Sequence, residues 1–242
     1  MTYVEFFDPL AIKNVVTSLT HAPKRVIFLG DNSKLMNRHI ARYRQVMADR
    51  GVEVEFLCKT VAKRDMKGAV ETIKELSAIY PRRANTIYFG GGTPPMLGEQ
   101  GLRRILETAK TCFSWQGGEV TCEVNPGSGY PVTVEALANM GVNRISVGLQ
   151  SSNPKELAAL GRTHSPEDVQ NLFKGAKQAG ISNCSVDLMW GILHQTVESA
   201  WESVAFACDL KPTHVSAYML KVEEGTPFGR MGNNLVLPEE DT

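Results

Sequence analysis

Thr86-Ile87-Tyr88-Phe89-Gly90-Gly91-Gly92-Thr93-Pro94-Pro95 is a β-branched and aromatic run that breaks into three glycines and two prolines. The run favours a strand, and the prolines stop it from continuing. Glycines directly after a strand admit positive φ and let a ligand reach the backbone without side-chain obstruction. Amides in such a loop can hold an anion, and its carbonyls a ligand amine. A tight strand-to-helix turn needs the same glycines, so this stretch by itself leaves both uses open.

Outward from that loop the chain alternates short β-branched runs with longer amphipathic stretches, the pattern of βα units around a parallel sheet. Strands are predicted at 3–7, 25–29, 53–57, 86–89, 119–123, 144–147, 183–188 and 214–218. Helices are predicted near 9–20, 33–50, 66–80, 97–112, 131–140, 153–160, 165–179 and 196–209. Ser165-Pro166-Glu167-Asp168 supplies a cap, a first-turn proline and acids at the positive end of a helix dipole. Pro131 and Pro154 sit at similar starts, and Gly141 and Gly180 end helical runs. Eight strands fit either a closed barrel or an open doubly wound sheet followed by a partial barrel. Tyr80-Pro81-Arg82-Arg83-Ala84-Asn85 is the one plausible seam, dividing 1–80 from 81–242.

Polar groups recur where the later strands end. Glu123 is followed by the chain-breaking Asn125-Pro126-Gly127, and Gly148-Leu149-Gln150-Ser151 closes the next strand. Leu160-Gly161-Arg162-Thr163-His164 and Asp187-Leu188-Met189-Trp190-Gly191 follow. The C-terminal ends of parallel strands meet at one mouth, where α/β folds bind ligands. One strand-end carboxylate reads as structural; four such ends point to a site.

The bulk numbers exclude several classes. Lysine plus arginine (26) equals aspartate plus glutamate (26), so no strong field recruits nucleic acid or an anionic membrane. No apolar run approaches the ~20 residues of a membrane span, and MTYVEFFDPL lacks the marks of a signal peptide. Cys58, Cys112, Cys122, Cys184 and Cys208 are odd in number and scattered, which suits reduced thiols in a cytoplasm. Each reads as a small buried hydrophobe. The basic stretch 33–50 reads as a solvated helix face, so nucleic acid is not expected as a partner.

In order and spacing, these segments resemble the radical-SAM family that contains HemW and oxygen-independent coproporphyrinogen III oxidase. The string His214-Val-Ser-Ala-Tyr218-Met-Leu-Lys-Val-Glu-Glu-Gly-Thr-Pro-Phe228 extends the resemblance over roughly residues 85–230. It implies an S-adenosylmethionine (SAM) site, with Gly91, Gly92 and Thr93 at the methionine amino end and Glu123, Gln150, Arg162 and Asp187 around the ligand. It also implies a [4Fe–4S] cluster and a heme or porphyrin partner. The loop Gly191–Thr196 lacks the Pro-Gly that the family carries at 193–194, where this chain has Leu193-His194. More seriously, no CxxxCxxC occurs in the 242 residues, and three thiolates are needed to hold such a cluster. The chain is also expected to lack the family's C-terminal domain. No catalytic residue and no metal ligand is assigned.

Residues 1–80 read as Rossmann-like βα units and faintly resemble CARF ligand-sensing domains through Val4-Glu-Phe-Phe-Asp8 and Arg25-Val-Ile-Phe-Leu-Gly-Asp-Asn-Ser-Lys34. The expected architecture is therefore these units followed by a partial radical-SAM barrel, the whole counting about eight βα units. Two other readings stand beside a SAM-binding protein: a nucleotide-sensing module, and a fusion of two unrelated segments. An incomplete barrel exposes sheet edges, which favours pairing with the N-terminal strands or self-association into a homo-oligomer.

Overall fold

The computed structural model describes residues 2–5, 25–30, 53–58, 66–79, 84, 86–90, 93–127, 131–222, 227–231 and 237–238. The predicted helices near 9–20 and 33–50, Gly91 and Gly92 lie outside the described residues. The chain forms two compact units, Met1–Tyr80 and Pro81–Thr242.

In the first unit, β1 (Thr2–Glu5), β2 (Arg25–Gly30) and β3 (Glu53–Cys58) form a parallel sheet in that order. Helix α1 (Met66–Ile79) closes the unit's described residues. Among the described residues the eight strands pair as two sheets, three in this unit and five in the next. The five-stranded sheet of the second unit, with its alternating helices, is a partial barrel.

The second unit is a run of βα repeats. Its strands are β4 (Thr86–Phe89), β5 (Glu119–Val124), β6 (Arg144–Gln150), β7 (Asn183–Trp190) and β8 (His214–Met219). All pair in parallel and in sequence order. Between them run a 3-10 turn at Pro94–Leu97, α2 (Gly98–Cys112), α3 (Val134–Met140), α4 (Pro154–Ala159), α5 (Pro166–Gln178) and α6 (Val197–Asp209). A short α7 (Pro227–Met231) follows.

Side chains on a strand alternate between faces, and this sheet uses the alternation to separate two environments. On β6, Ile145, Val147 and Leu149 are fully buried in one apolar cluster with Leu102 and Leu106 of α2, Leu137 of α3 and Val169 of α5. The opposite face carries Arg144, Ser146, Gly148 and Gln150. It meets Glu119, Thr121 and Glu123 of β5 and Ser185 and Asp187 of β7 across the ladder. The apolar core thus lies between sheet and helices, and the polar face is left for chemistry.

Local signals set the repeats. Ser165 caps α5 in a reciprocal box with Asp168, and Thr196 does the same for α6 with Ser199. Pro154 and Pro166 take the first helical position, as expected. Pro131 does not start its helix: α3 begins at Val134, because Thr133 accepts the amide of Ala136 and a proline has no side-chain oxygen to do so. Cys122 and Cys184 are buried as expected, whereas Cys208 lies exposed on the outer side of α6.

His194 holds φ +73 in the loop between β7 and α6, a backbone conformation that favours glycine. A side chain there costs free energy that glycine avoids. His194→Gly is expected to stabilise the fold by about 0.5–1 kcal/mol, read as a thermal midpoint raised by roughly 1–4 °C. An unchanged or lowered midpoint would contradict that reading.

Candidate functional site

At the C-terminal ends of β4 to β8, the polar face gathers several hydrogen-bonded groups of side chains. Asn125, one residue beyond β5, is the middle of one of them. Arg162 Nη1 donates to Asn125 Oδ1 at 2.7 Å, and Asn125 Nδ2 donates to Thr93 Oγ1 at 3.0 Å. Arginine can only donate, so the amide has one orientation and the bonds run in one direction, from Arg162 through Asn125 to Thr93. Thr93 precedes the 3-10 turn, but its side chain makes no capping bond. Its hydroxyl, already accepting from Asn125, is left to donate. The remaining guanidinium hydrogens of Arg162 add further donors at the same end.

The other end is rich in acceptors. Tyr88 OH donates to Glu123 Oε1 at 2.9 Å. Burial, then the Glu123 charge, raises the Tyr88 pKa well above the phenol range, so it stays a donor. Asp187 accepts from Ser146 Oγ at 3.3 Å and is also bonded by Ser216. Burial raises the Asp187 pKa above the usual carboxylate value, against the pull of those bonds and of Arg144 and His214. One layer deeper, Arg144 donates to Ser185, Glu119 and Thr121 and so is occupied within the sheet.

Gln150 stands between the two ends. Its Oε1 accepts from Tyr218 OH of β8 at 2.6 Å, which turns its amide hydrogens the other way. Two glycines make room for this packing. A Cβ on Gly148 would lie 2.9 Å from Gln150 Nε2 and 3.0 Å from Asn125 Oδ1, and one on Gly90 would lie 2.7 Å from Glu123 Oε1.

Thr93, Glu123, Gln150, Arg162 and Asp187, all marked from the sequence, are placed on this one mouth and its rim. Asn125, Tyr88, Tyr218 and Ser146 were not marked. In the sequence Asn125 reads as a chain breaker inside Asn-Pro-Gly, and the signal of its role is an amide able to donate and accept soon after a strand-end carboxylate.

Donors at one end and carboxylate acceptors at the other suit a small zwitterion that carries a carboxylate, an ammonium and hydroxyls. They do not suit an iron–sulfur cluster. Among the described residues no three His, Cys, Asp or Glu side chains group to hold a metal. Cys122 lies on the helix-facing side of its strand, and burial pushes its thiol up to about 12. A separate cavity of about 460 Å³ lies between β7, β8 and α6. Among the described residues it is lined by Trp190, Trp201, Val204 and Met219, with no ionisable side chain.

Five parallel strands alternating with helices, with polar side chains gathered at the strand ends, define an α/β domain of the partial-barrel type. The chain belongs to the Radical SAM superfamily, whose profile matches residues 60–207, more than half of the chain. The match starts upstream of the motif string and takes in α1. It is similar to the heme chaperone HemW of Escherichia coli strain K12, 36% identical over 166 residues, which covers 66% of this chain and 42% of that protein. HemW of Lactococcus lactis is 36% identical over 172 residues, 70% of this chain and 45% of the relative. The chain thus spans less than half the length of the curated relatives it matches. Among solved structures, coproporphyrinogen III oxidase (HemN) of Escherichia coli superposes with a TM-score of 0.64 at 21% identity. That superposition covers 78% of this chain and 44% of HemN, a likeness of fold. No helix of the described residues is long and apolar enough to cross a membrane.

His164, beside this site, is buried, and a ring nitrogen lies 3.2 Å from the carbonyl of Leu149. A carbonyl only accepts, so Nε2 carries the proton. Burial, helped by the nearby Arg162 charge, pulls the His164 pKa below its ordinary value near 6.5. The unfolded chain then binds a proton that the fold refuses, so stability falls as pH drops below about 6.5. His164→Gln, which keeps a donor without titrating, is expected to flatten that slope in denaturant unfolding between about pH 7 and 5. Parallel curves for the two proteins would contradict the assignment.

Proposed function

We propose that the mouth of the second unit binds S-adenosylmethionine, and that these 242 residues do not by themselves cleave it reductively. The observation that carries the first part is the one-way bonding from Arg162 through Asn125 to Thr93, which gathers unspent donors at one end of the mouth. In this reading Arg162 and Thr93 hold the ligand's carboxylate, a pairing that guanidinium geometry favours. Glu123 and Asp187 take its ammonium and ribose hydroxyls, and Gln150 turns its amide hydrogens toward it. Gly91 and Gly92, outside the described residues, would complete the methionine end.

SAM supplies a sulfonium whose bonds the superfamily opens with an electron from a cluster. The residues present give no such cluster a home, since no CxxxCxxC occurs in the 242 residues. No bond-breaking step is assigned to them. Because the relatives are named heme chaperones, heme is the macrocycle to test beside SAM.

Titration calorimetry is expected to show SAM binding that weakens about tenfold or more in Glu123→Ala and in Asp187→Ala. Unchanged affinity in both variants would refute the site. Anaerobic iron–sulfur reconstitution of the same chain is expected to give neither the absorbance nor the paramagnetic signal of a [4Fe–4S] cluster. Appearance of either would overturn the second part of the proposal.

A further inference from the structure

Glu156 of α4 is fully buried, and its hydrogen-bond partners among the described residues are two serines and a glutamine. Its carboxylate accepts from Ser151 Oγ at 2.7 Å, from Gln195 Nε2 at 3.2 Å and from Ser199 Oγ in the first turn of α6. Burying a carboxylate is costly even when it is well bonded, and apolar packing would serve stability as well. What the arrangement adds is geometry.

The geometry converges on Gln150. That residue holds φ +66, and the amide of Ser151 bonds the carbonyl of Leu149 at 2.8 Å around it. The result is a γ-turn of the strained hand, at the end of a strand and with a side chain present. Ser151 is held in place by Glu156. Its hydroxyl donates to that carboxylate and accepts the amide of Asn153 at 2.9 Å. Ser203 Oγ adds a bond to the amide of Ser152 at 2.9 Å. Gln195, the second donor to Glu156, also donates to the carbonyl of Met189 at 3.1 Å, two residues beyond Asp187. One buried carboxylate therefore ties together the strand ends that carry Gln150 and Asp187.

We infer that Glu156 is a positioning residue: through Ser151 it clamps the strained turn that presents Gln150 to the ligand. The inference rests on the SAM reading for the ligand's identity, but the clamp itself is independent of it. A glutamine at 156 keeps shape and volume but replaces one acceptor oxygen with an amide nitrogen, so the three bonds that the carboxylate accepts cannot all be kept.

Two measurements on the full chain test this, using Glu156→Gln, Gln150→Ala and the double variant. Hydrogen exchange without ligand is expected to speed up several-fold across 149–153 in Glu156→Gln, with α2 unchanged. Calorimetry with SAM is expected to show about tenfold weaker binding in Glu156→Gln, and no further loss when that change is added to Gln150→Ala. Losses that simply add, or wild-type affinity in Glu156→Gln, would overturn the positioning role. If the wild type itself fails to bind SAM, the ligand reading falls and exchange decides: faster exchange at 149–153 upholds the clamp, and unchanged exchange removes it. Should Glu156→Gln not fold, Ser151→Ala, which cuts the same link at its other end, is read by the same criteria.

Discussion

An arginine cannot accept a hydrogen bond, and from that restriction the layout of the site follows. With Arg162 donating to Asn125, the amide must point its nitrogen at Thr93, and the Thr93 hydroxyl must then direct its hydrogen elsewhere. Three residues from three different loops become a single donor surface. The carboxylates of Glu123 and Asp187 lie on the strands themselves, and they receive hydrogen bonds from Tyr88, Ser146 and Ser216. Donors on the loops and acceptors on the strands give the mouth a polarity.

That polarity depends on the sheet having two unlike faces. Ile145, Val147 and Leu149 fix β6 against the helices so firmly that a slip of one residue would turn Ser146 and Gln150 into the apolar core. The same alternation leaves Gly148 under the side chains of Gln150 and Asn125, where any larger residue would collide with both. Sheet register, glycine placement and hydrogen-bond direction are thus one constraint seen at three scales.

Much of this was legible in the sequence because it is periodic or local. The strands from 86 onward follow from β-branched runs, and α5 follows from the box at Ser165 and Asp168. The membership of the site, Thr93 with Glu123, Gln150, Arg162 and Asp187, came from strand ends and from a family resemblance. What stayed hidden depends on pairs far apart in the chain. Asn125 looked like a chain breaker because its partners are 32 and 37 residues away. Glu156 follows Lys155 in a short helix, and two of its three partners, Gln195 and Ser199, are 39 and 43 residues away. The positive φ of Gln150 leaves no trace in composition, and the helical start at Pro131 failed because Thr133 competes for it with a side-chain oxygen.

The central claim is that Arg162, Asn125 and Thr93 act together to read a carboxylate. Competitive binding of SAM and decarboxylated SAM to the wild type and to Asn125→Ala tests it directly. The account predicts that the wild type prefers SAM by at least about tenfold and that Asn125→Ala loses most of that preference. Equal affinities in the wild type, or a preference left intact in Asn125→Ala, would contradict it.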